Sequence, residues 1–252
     1  MKDLVDLGKF CRENVMGTYL GLAKSFPGTQ VRHEPEVSYA HGRVDLSFCN
    51  FAIGFNKVQP DQLASIVKKA GRNYWAFQMP GDEPPELSSM LAHLGFQPRN
   101  SLVQMARLPQ SPQDGTELVP ANSFHARSSI ANFMAHQFFW RLAPSIREAV
   151  GVATTVAPVE LYALRESSRL VGACMLSRQA GSLGLYNVCV DGSCRRQGYG
   201  RQLVEFCCRR ADAENLPLVL QCDLTLAPWY ASTGFSRCGQ MLAYKLNLSN
   251  QV

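Results

Sequence analysis

Two stretches of the chain echo each other. "LGFQPRNSLVQMARL" (94–108) sits opposite "TGFSRCGQMLAYKL" (233–246). Each closes the same succession: a helix, a strand, a short helix, Gly-Phe, a polar turn and a last strand. The first copy runs over 61–108 and the second over 200–248. Self-similarity of this kind marks a repeated architectural unit, so the chain is expected to be α/β (α+β) and built twice. One difference separates the copies. Ahead of its helix the first reads "NKVQPDQ", with a proline and no glycine, whereas the second carries "CRRQGYGRQL" (194–203).

The elements between follow from period and punctuation. Residues 10–25 carry apolar side chains near one helical face. "VDLSFCNFAIGFN" (44–56) is β-rich, "DQLASIVKKA" (61–70) has helical spacing before Gly71, and 73–79 reads as a strand. Residues 84–96 read as a helix with proline at its start and Gly95 at its end, and 101–108 as a strand. The stretch 109–123, rich in Pro, Ser, Gln and Gly, reads as a linker. That gives domains at 1–112 and 124–252 with 113–123 between. In the second half, 128–142 is helical, and 159–166, 170–179 and 183–190 are strands. The last two of these strands form an antiparallel pair around "AGS". A helix over 200–213, a strand over 216–222, a short helix over 227–235 and a strand over 240–248 complete the chain.

Composition enters mainly to exclude. With 46% hydrophobic and 18% charged residues over a length of 252, the chain has ordinary globular composition. The charged N-terminus and the lack of a run of about 18 apolar residues argue against a signal peptide or a membrane span. The net charge of +5 is spread widely, unlike the dense basic stripe of a nucleic-acid binder. Nine cysteines, an odd number with no CxxC pair, read as reduced thiols of a cytoplasmic protein. No Cys/His spacing supports a metal site.

The arginine-glycine loop carries the chemistry. The first N–H groups of a helix have no internal partner, and the helix dipole is positive there. Gly198 and Gly200 allow a tight turn and remove side chains that would block a ligand. Arg195, Arg196 and Arg201 add forked cationic donors. Together these suit a phosphate or pyrophosphate, although a basic turn capping a helix has the same look. The loop is neither a Walker A sequence nor a dinucleotide fingerprint, since the third glycine and the ribose-binding acid are missing.

The context of the loop resembles the GCN5-related N-acetyltransferase (GNAT) family. The family's Arg/Gln-x-x-Gly-x-Gly/Ala signature is matched by Arg195-Arg196-Gln197-Gly198-Tyr199-Gly200. Its later aromatic-Tyr-x-x-x-Gly-Phe stretch is matched by Trp229-Tyr230-Ala231-Ser232-Thr233-Gly234-Phe235. The likeness covers about 155–248. The first half resembles a degenerate copy, as in tandem members. The resemblance implies two GNAT-like domains, each a mixed, mostly antiparallel twisted sheet flanked by helices.

It also implies acetyl-CoA as co-substrate. The backbone of Arg196 to Arg201, with Gln197 and Tyr199 among the loop residues and Arg195 as the signature residue, would hold the pyrophosphate. The strand before the loop would splay from its neighbour and bind the pantetheine arm through Val188, Cys189 and Val190. Tyr230 would protonate the leaving thiolate. A backbone N–H on the splayed strand would stabilise the developing oxyanion. The base is left open. Asn187 stands where a carboxylate is often found and cannot act as one, leaving Asp223, His136 or a water chain. Asp223 also reads as a turn cap, and the Cys189 and Cys222 side chains read as core.

The expected function is N-acetyl transfer to a primary amine of a small molecule, peptide or protein, with only the second domain binding CoA. The alternative is a non-catalytic acyl-CoA-binding or regulatory module. Aminoacyl transfer from tRNA would need a basic groove, and the modest charge speaks against it; no nucleic acid or membrane partner is expected. The acceptor pocket is expected from 124–150 and from the first domain. "FMAHQFFWRL" could line it or pack in the core.

Overall fold

The echoed segments lie side by side as the central pair of one ten-stranded sheet. The computed structural model describes residues 2–43, 46–69, 73–79, 81, 83–111, 114–115 and 117–247. In chain order the first half gives α1 (Lys2–Lys24), β1 (Gln30–His33), β2 (Ser38–His41), β3 (Asn50–Ile53), α2 (Pro60–Lys68), β4 (Trp75–Gln78), α3 (Leu87–His93) and β5 (Phe96–Arg107). The second gives α4 (Phe124–Phe138), α5 (Pro144–Val156), β6 (Glu160–Glu166), β7 (Arg169–Gln179), β8 (Ser182–Val190), α6 (Tyr199–Ala213), β9 (Leu218–Cys222), α7 (Ala227–Ala231) and β10 (Ser236–Leu246). The fold is therefore mixed α/β, a mostly antiparallel sheet flanked by helices.

The strand order is β1-β2-β3-β4-β10-β5-β9-β8-β7-β6, which reads alike from both edges. At each end three antiparallel strands are followed by one parallel strand, β4 beside β3 and β9 beside β8. Each set is then completed by the last strand of the other half. β10 pairs with β4, and β5 pairs with β9. β5 and β10 also pair with each other over most of their length. Gly95 and Gly234 open these strands with matching left-handed backbone, φ 88° and 92°. Each abuts the far end of the opposite strand: a Cβ on Gly95 would face the Asn247 carbonyl, and one on Gly234 would face Arg107.

Side-chain alternation divides the core into layers. Met241 and Ala243 of β10 pack with Val15 and Leu20 of α1. Tyr244 and Leu246 point the other way, against Leu63 of α2 and Leu87 and Leu91 of α3. In the second half Leu183, Leu185, Leu218 and Leu220 pack against Leu203, Val204 and Cys207 of α6. α4 and α5 share the face that α1 covers. Arg127 of α4 clamps the end of α5 by donating to the carbonyls of Thr155, Ala157 and Val159 at 2.6–2.8 Å, a cationic C-terminal cap.

Two polar ties cross the core. Asn14 of α1 donates to the Ser177 and Ser182 carbonyls at 3.2 Å and accepts from the Tyr186 hydroxyl at 2.8 Å. Arg107 of β5 makes a two-pronged pair with Asp212 of α6, at 2.7 and 2.9 Å, with both side chains buried. Gly184 makes room for the first tie: a Cβ there would lie 2.0 Å from the Asn14 side-chain oxygen. Gly184→Ala should cost about 1–3 kcal/mol by overpacking, read as a lowered denaturation midpoint with unchanged slope.

The expected elements are present with shifted bounds. The helix expected over 128–142 is α4 at Phe124–Phe138. α5 follows it and was not anticipated, because β-branched Ile146, Val150, Val152, Thr154, Thr155 and Val156 hide its helical period. The short strand β1, at the sheet edge, and β2 beside it were also missed. The β7–β8 turn is the two-residue Ala180-Gly181 loop, both left-handed at φ 47° and 71°, as tight hairpins require. Gly71, the expected helix stop, and linker residues 112, 113 and 116 lie outside the described residues. So do residues 44 and 45 of the first β-rich stretch and 248 of the last strand. All nine cysteines carry thiols, eight of them buried. No described helix is long and apolar enough to cross a membrane.

Candidate functional site

β8 and β9 pair at Leu183/Leu218, Gly184/Val219 and Leu185/Leu220, and no further. β8 nevertheless runs on to Val190 and β9 to Cys222. Beyond Leu185 the two strands part. The cause lies on the other side of β8. Its pairing with β7 shifts register between Ala173 and Met175, whose partners are Cys189 and Tyr186. Asn187, at φ 51°, stands in the bulge. A bulge bends and twists its strand, and here it also reverses the alternation. Tyr186 faces α1, whereas Val188 and Val190 pack toward α6. Cys189 turns back toward α4, with its thiol on the Ala173 carbonyl at 3.7 Å. Burial pushes the Cys189 thiol up to about 12, so it stays protonated and is no nucleophile at neutral pH.

β8 leads directly into the arginine-glycine loop. Asp191 caps the first turn by accepting from Ser193 N at 2.9 Å. Arg196 is left-handed at φ 65°, and Gly198, at φ 89°, is the N-cap of α6 with no side chain bonded to the helix end. Left-handed residues in a loop of this kind turn successive N–H groups toward one side, the arrangement of an anion nest. A Cβ on Gly198 would meet nothing within 4 Å, and one on Gly200 would only touch Val190 and Trp229 at 3.7 and 4.0 Å. Space inside the protein therefore does not require either glycine. Gly198 is required by its φ, and Gly200 leaves the mouth of the helix open.

Val190, Arg195, Arg196, Gly198, Tyr199, Gly200 and Arg201 line one hollow of about 220 Å³, together with Cys194 and Trp229. Arg195, Arg196 and Arg201 are exposed, and Arg201 pairs with Glu205 one turn on at 2.9 Å. Gln197 is exposed and reaches back toward the Ser193 carbonyl. Trp229 was missed as a hollow-lining residue, although it stands beside Tyr230 in the late motif. A strand end, a nest and a cationic rim in one hollow fit a pyrophosphate. The gap between β8 and β9 fits an extended chain that can add its own hydrogen bonds to β8.

Tyr230 is buried among Leu203, Cys207 and Cys222, edge-on to Trp229 at 4.7 Å and to Phe235 at 5.8 Å. Burial holds its phenol well above the ordinary tyrosine value, so the proton is present throughout the neutral range. Neither base candidate is well placed. Asp223 caps the turn after β9, accepting from Thr225 N and Oγ1 at 2.9 and 2.7 Å, and those bonds keep its carboxyl low. His136 is exposed on α4 and lines no cavity described here.

On the α1 face, a second cavity of about 300 Å³ reaches the bulge. Asn187 and Tyr186 form one wall, and Tyr19, Phe51, Trp75, Phe77, Phe139 and Met241 form much of the rest. Residues of the first half and of 124–150 both line it. Thr154 of α5, Met175 of β7 and Met241 and Ala243 of β10 line it from outside those segments.

Residues 150–244 match the family model described as acetyltransferase (GNAT) domain. That stretch of the second half is similar to a GNAT acetyltransferase domain. The likeness among solved structures extends further, over both halves. A GCN5-related N-acetyltransferase from Kribbella flavida superposes with TM-score 0.65 at 16% identity, covering 93% of this chain and 95% of its own. A GNAT-family protein from Novosphingobium aromaticivorans gives 0.62 at 17%, covering 95% and 98%. A conserved protein of unknown function from Staphylococcus epidermidis gives 0.61 at 14%, covering 88% and 96%. At these identities the likeness is one of fold. No curated protein matches the sequence significantly. The arginine-glycine loop, after β8, and the aromatic motif, after β9, thus flank the same open end of the gap between these parallel strands.

Proposed function

We propose that the protein transfers an acetyl group from acetyl-CoA directly to a primary amine. The parting of β8 from β9 beyond Leu185, with the Gly198–Gly200 nest at the end of the same strand, carries this reading. Acetyl-CoA supplies the acyl group as a thioester. The loop from Arg195 to Arg201 holds its pyrophosphate, and the backbone of Val188 to Val190 holds its arm. A neutral amine nitrogen attacks the thioester carbonyl; the C–N bond forms as the C–S bond breaks. The nitrogen gives up a proton to water, and the departing thiolate takes one from the Tyr230 phenol. With Asn187 at the bulge and Asp223 occupied as a cap, no side-chain base is assigned.

The palindromic strand order and the matched Gly95 and Gly234 support reading the chain as a duplicated GNAT-like unit, 1–112 and 124–252. In this reading only the second copy kept a donor site. The equivalent first-half loop carries Gln59, not a glycine, at the helix N-cap, and the helix opens on Pro60, which has no N–H to donate. The nine thiols suit a reducing compartment such as the cytoplasm.

The test is release of CoA thiol from acetyl-CoA, dependent on added amine. Tyr230→Phe should lower kcat by roughly 10²–10⁴-fold, the usual worth of a positioned proton donor. Its acetyl-CoA affinity should stay near wild type. The second reading, a non-catalytic acyl-CoA-binding module, is favoured by the lack of a base at Asn187. It predicts one bound equivalent and no thiol release with any amine.

A further inference from the structure

The cavity at the bulge has an outer mouth. A neighbouring hollow of about 480 Å³ shares Ser47, Phe48, Trp75 and Phe139 with it. The two adjoin across these four side chains. The outer one is distinct from the loop hollow at the start of α6, with which it has no lining residue in common.

The two parts differ in chemistry. The inner chamber is walled by aromatic rings and methionines, and none of its lining residues is charged. Its polar groups are neutral: Ser47, Asn100, Thr154, Asn187 and the two tyrosines. The mouth carries two cations, Arg141 and Lys245, and no carboxylate lines it among the described residues. Arg141 lies over the exposed Trp140 ring at 4.7 Å, and Lys245 stands 6.0 Å from the Trp75 ring. Phe138 and Trp140 are 44% and 63% exposed there, large apolar surface for a monomer to leave in water.

An ammonium group has no counter-ion in such a chamber and would be strongly disfavoured by desolvation. An amine presented at Asn187 must therefore arrive neutral, on a body that is itself apolar and flat enough for aromatic walls. The volume is that of a small-molecule site. A long acyl chain on the donor would also be apolar, but it would not need a second opening to solvent or a cationic rim.

We propose that the acceptor is a small primary amine on an aromatic body with an anionic group at its far end. The amine lies at Asn187, the ring fills the chamber, and the anion meets Arg141 and Lys245. This rests on the acyltransferase reading above.

The experiment uses the full chain, with acetyl-CoA binding measured first, so that a failed donor site is recognised separately. The probes are 4-(2-aminoethyl)benzoate, the same ring without its carboxylate, and 1,4-diaminobutane. Both their binding by calorimetry and acetyl-CoA-dependent thiol release are read. The carboxylate-bearing ring should be preferred over the plain ring by roughly tenfold, in the range of charge-assisted contacts at a partly solvated rim. The diamine should be poorest. Arg141→Ala/Lys245→Ala, at the cavity mouth, should remove the preference for the carboxylate, so that the two ring probes are used alike. Acetyl-CoA binding together with equal or better use of the diamine would overturn the proposal. So would decanoyl-CoA binding more than about tenfold tighter than acetyl-CoA and excluding the ring probe, which would give the chamber to the donor's chain. Ring probes that fail to bind a protein that does bind acetyl-CoA would overturn it as well.

Discussion

Titrated with acetyl-CoA, the protein should take up one equivalent, and the Gly198→Asp/Gly200→Asp double variant should take up none. Each new carboxylate would stand where the nest faces the pyrophosphate, and like charges brought together without solvent cost several kcal/mol. At 1.4 kcal/mol per tenfold, affinity should fall by more than about 100-fold. The variant should stay folded. Nothing lies within 4 Å of a Cβ at Gly198, and a Cβ at Gly200 makes only ordinary contacts. A side chain at Gly198 is strained by its φ of 89°, so the fold is checked by melting, and Gly200→Asp alone, at an unstrained position, is the second variant. Gly200→Ala alone, which adds bulk but no charge, should weaken binding by less. Undiminished binding by the folded double variant would return the loop to a basic helix cap. Two equivalents in the wild type would mean that the first half also kept a donor site.

Breaking the Arg107–Asp212 pair should be the most damaging single change to stability. Arg107 belongs to β5 and Asp212 to α6, so the pair ties the first half's last strand to the second half's helix. Gln110 N donates to the same carboxylate at 2.7 Å. Asp212→Asn leaves a guanidinium buried without its counter-charge, a loss of about 3–5 kcal/mol. For a chain of this size, about 2–4 °C of melting temperature per kcal/mol makes that a drop on the order of 10 °C. An Arg107→Met/Asp212→Leu double variant should recover much of it, because two apolar groups need no partner. A single variant melting within about 2 °C of wild type would show that water reaches the pair.

What the sequence disclosed was local. The turn chemistry of Gly198 and Gly200, the helix after them and the aromatic motif around Tyr230 all lie in short windows, and the structure brings them together at the open end of one strand gap. The gap itself depends on register. Asn187 is an unremarkable asparagine in an apolar run until pairing with β7 leaves it in a bulge. The chamber was legible only in part, because its walls come from α1, β3, β4, β10 and α5, far apart along the chain. α5 was hidden for a different reason. Its β-branched residues argue for a strand, and it is held helical by packing: a Cβ on Gly151 would lie 2.2 Å from the Asn132 side-chain oxygen of α4. Strand partners were equally nonlocal. The repeated pattern gave no sign that β10 pairs with β4 of the first half and β5 with β9 of the second.

That cross-pairing governs how the molecule is made. As the nascent chain leaves the ribosome, β4 emerges long before β10, its neighbour toward the centre of the sheet. β5 emerges before both β9 and β10. The early half therefore cannot close while the later half is still being translated, and it carries unpaired strand edges of the kind chaperones shield. Cutting the gene in the linker would give two fragments, each lacking the strand that the other holds. Expressed alone, each should be prone to aggregate. Expressed together, they should reassemble, with the two exchanged strands acting as a mutual clasp.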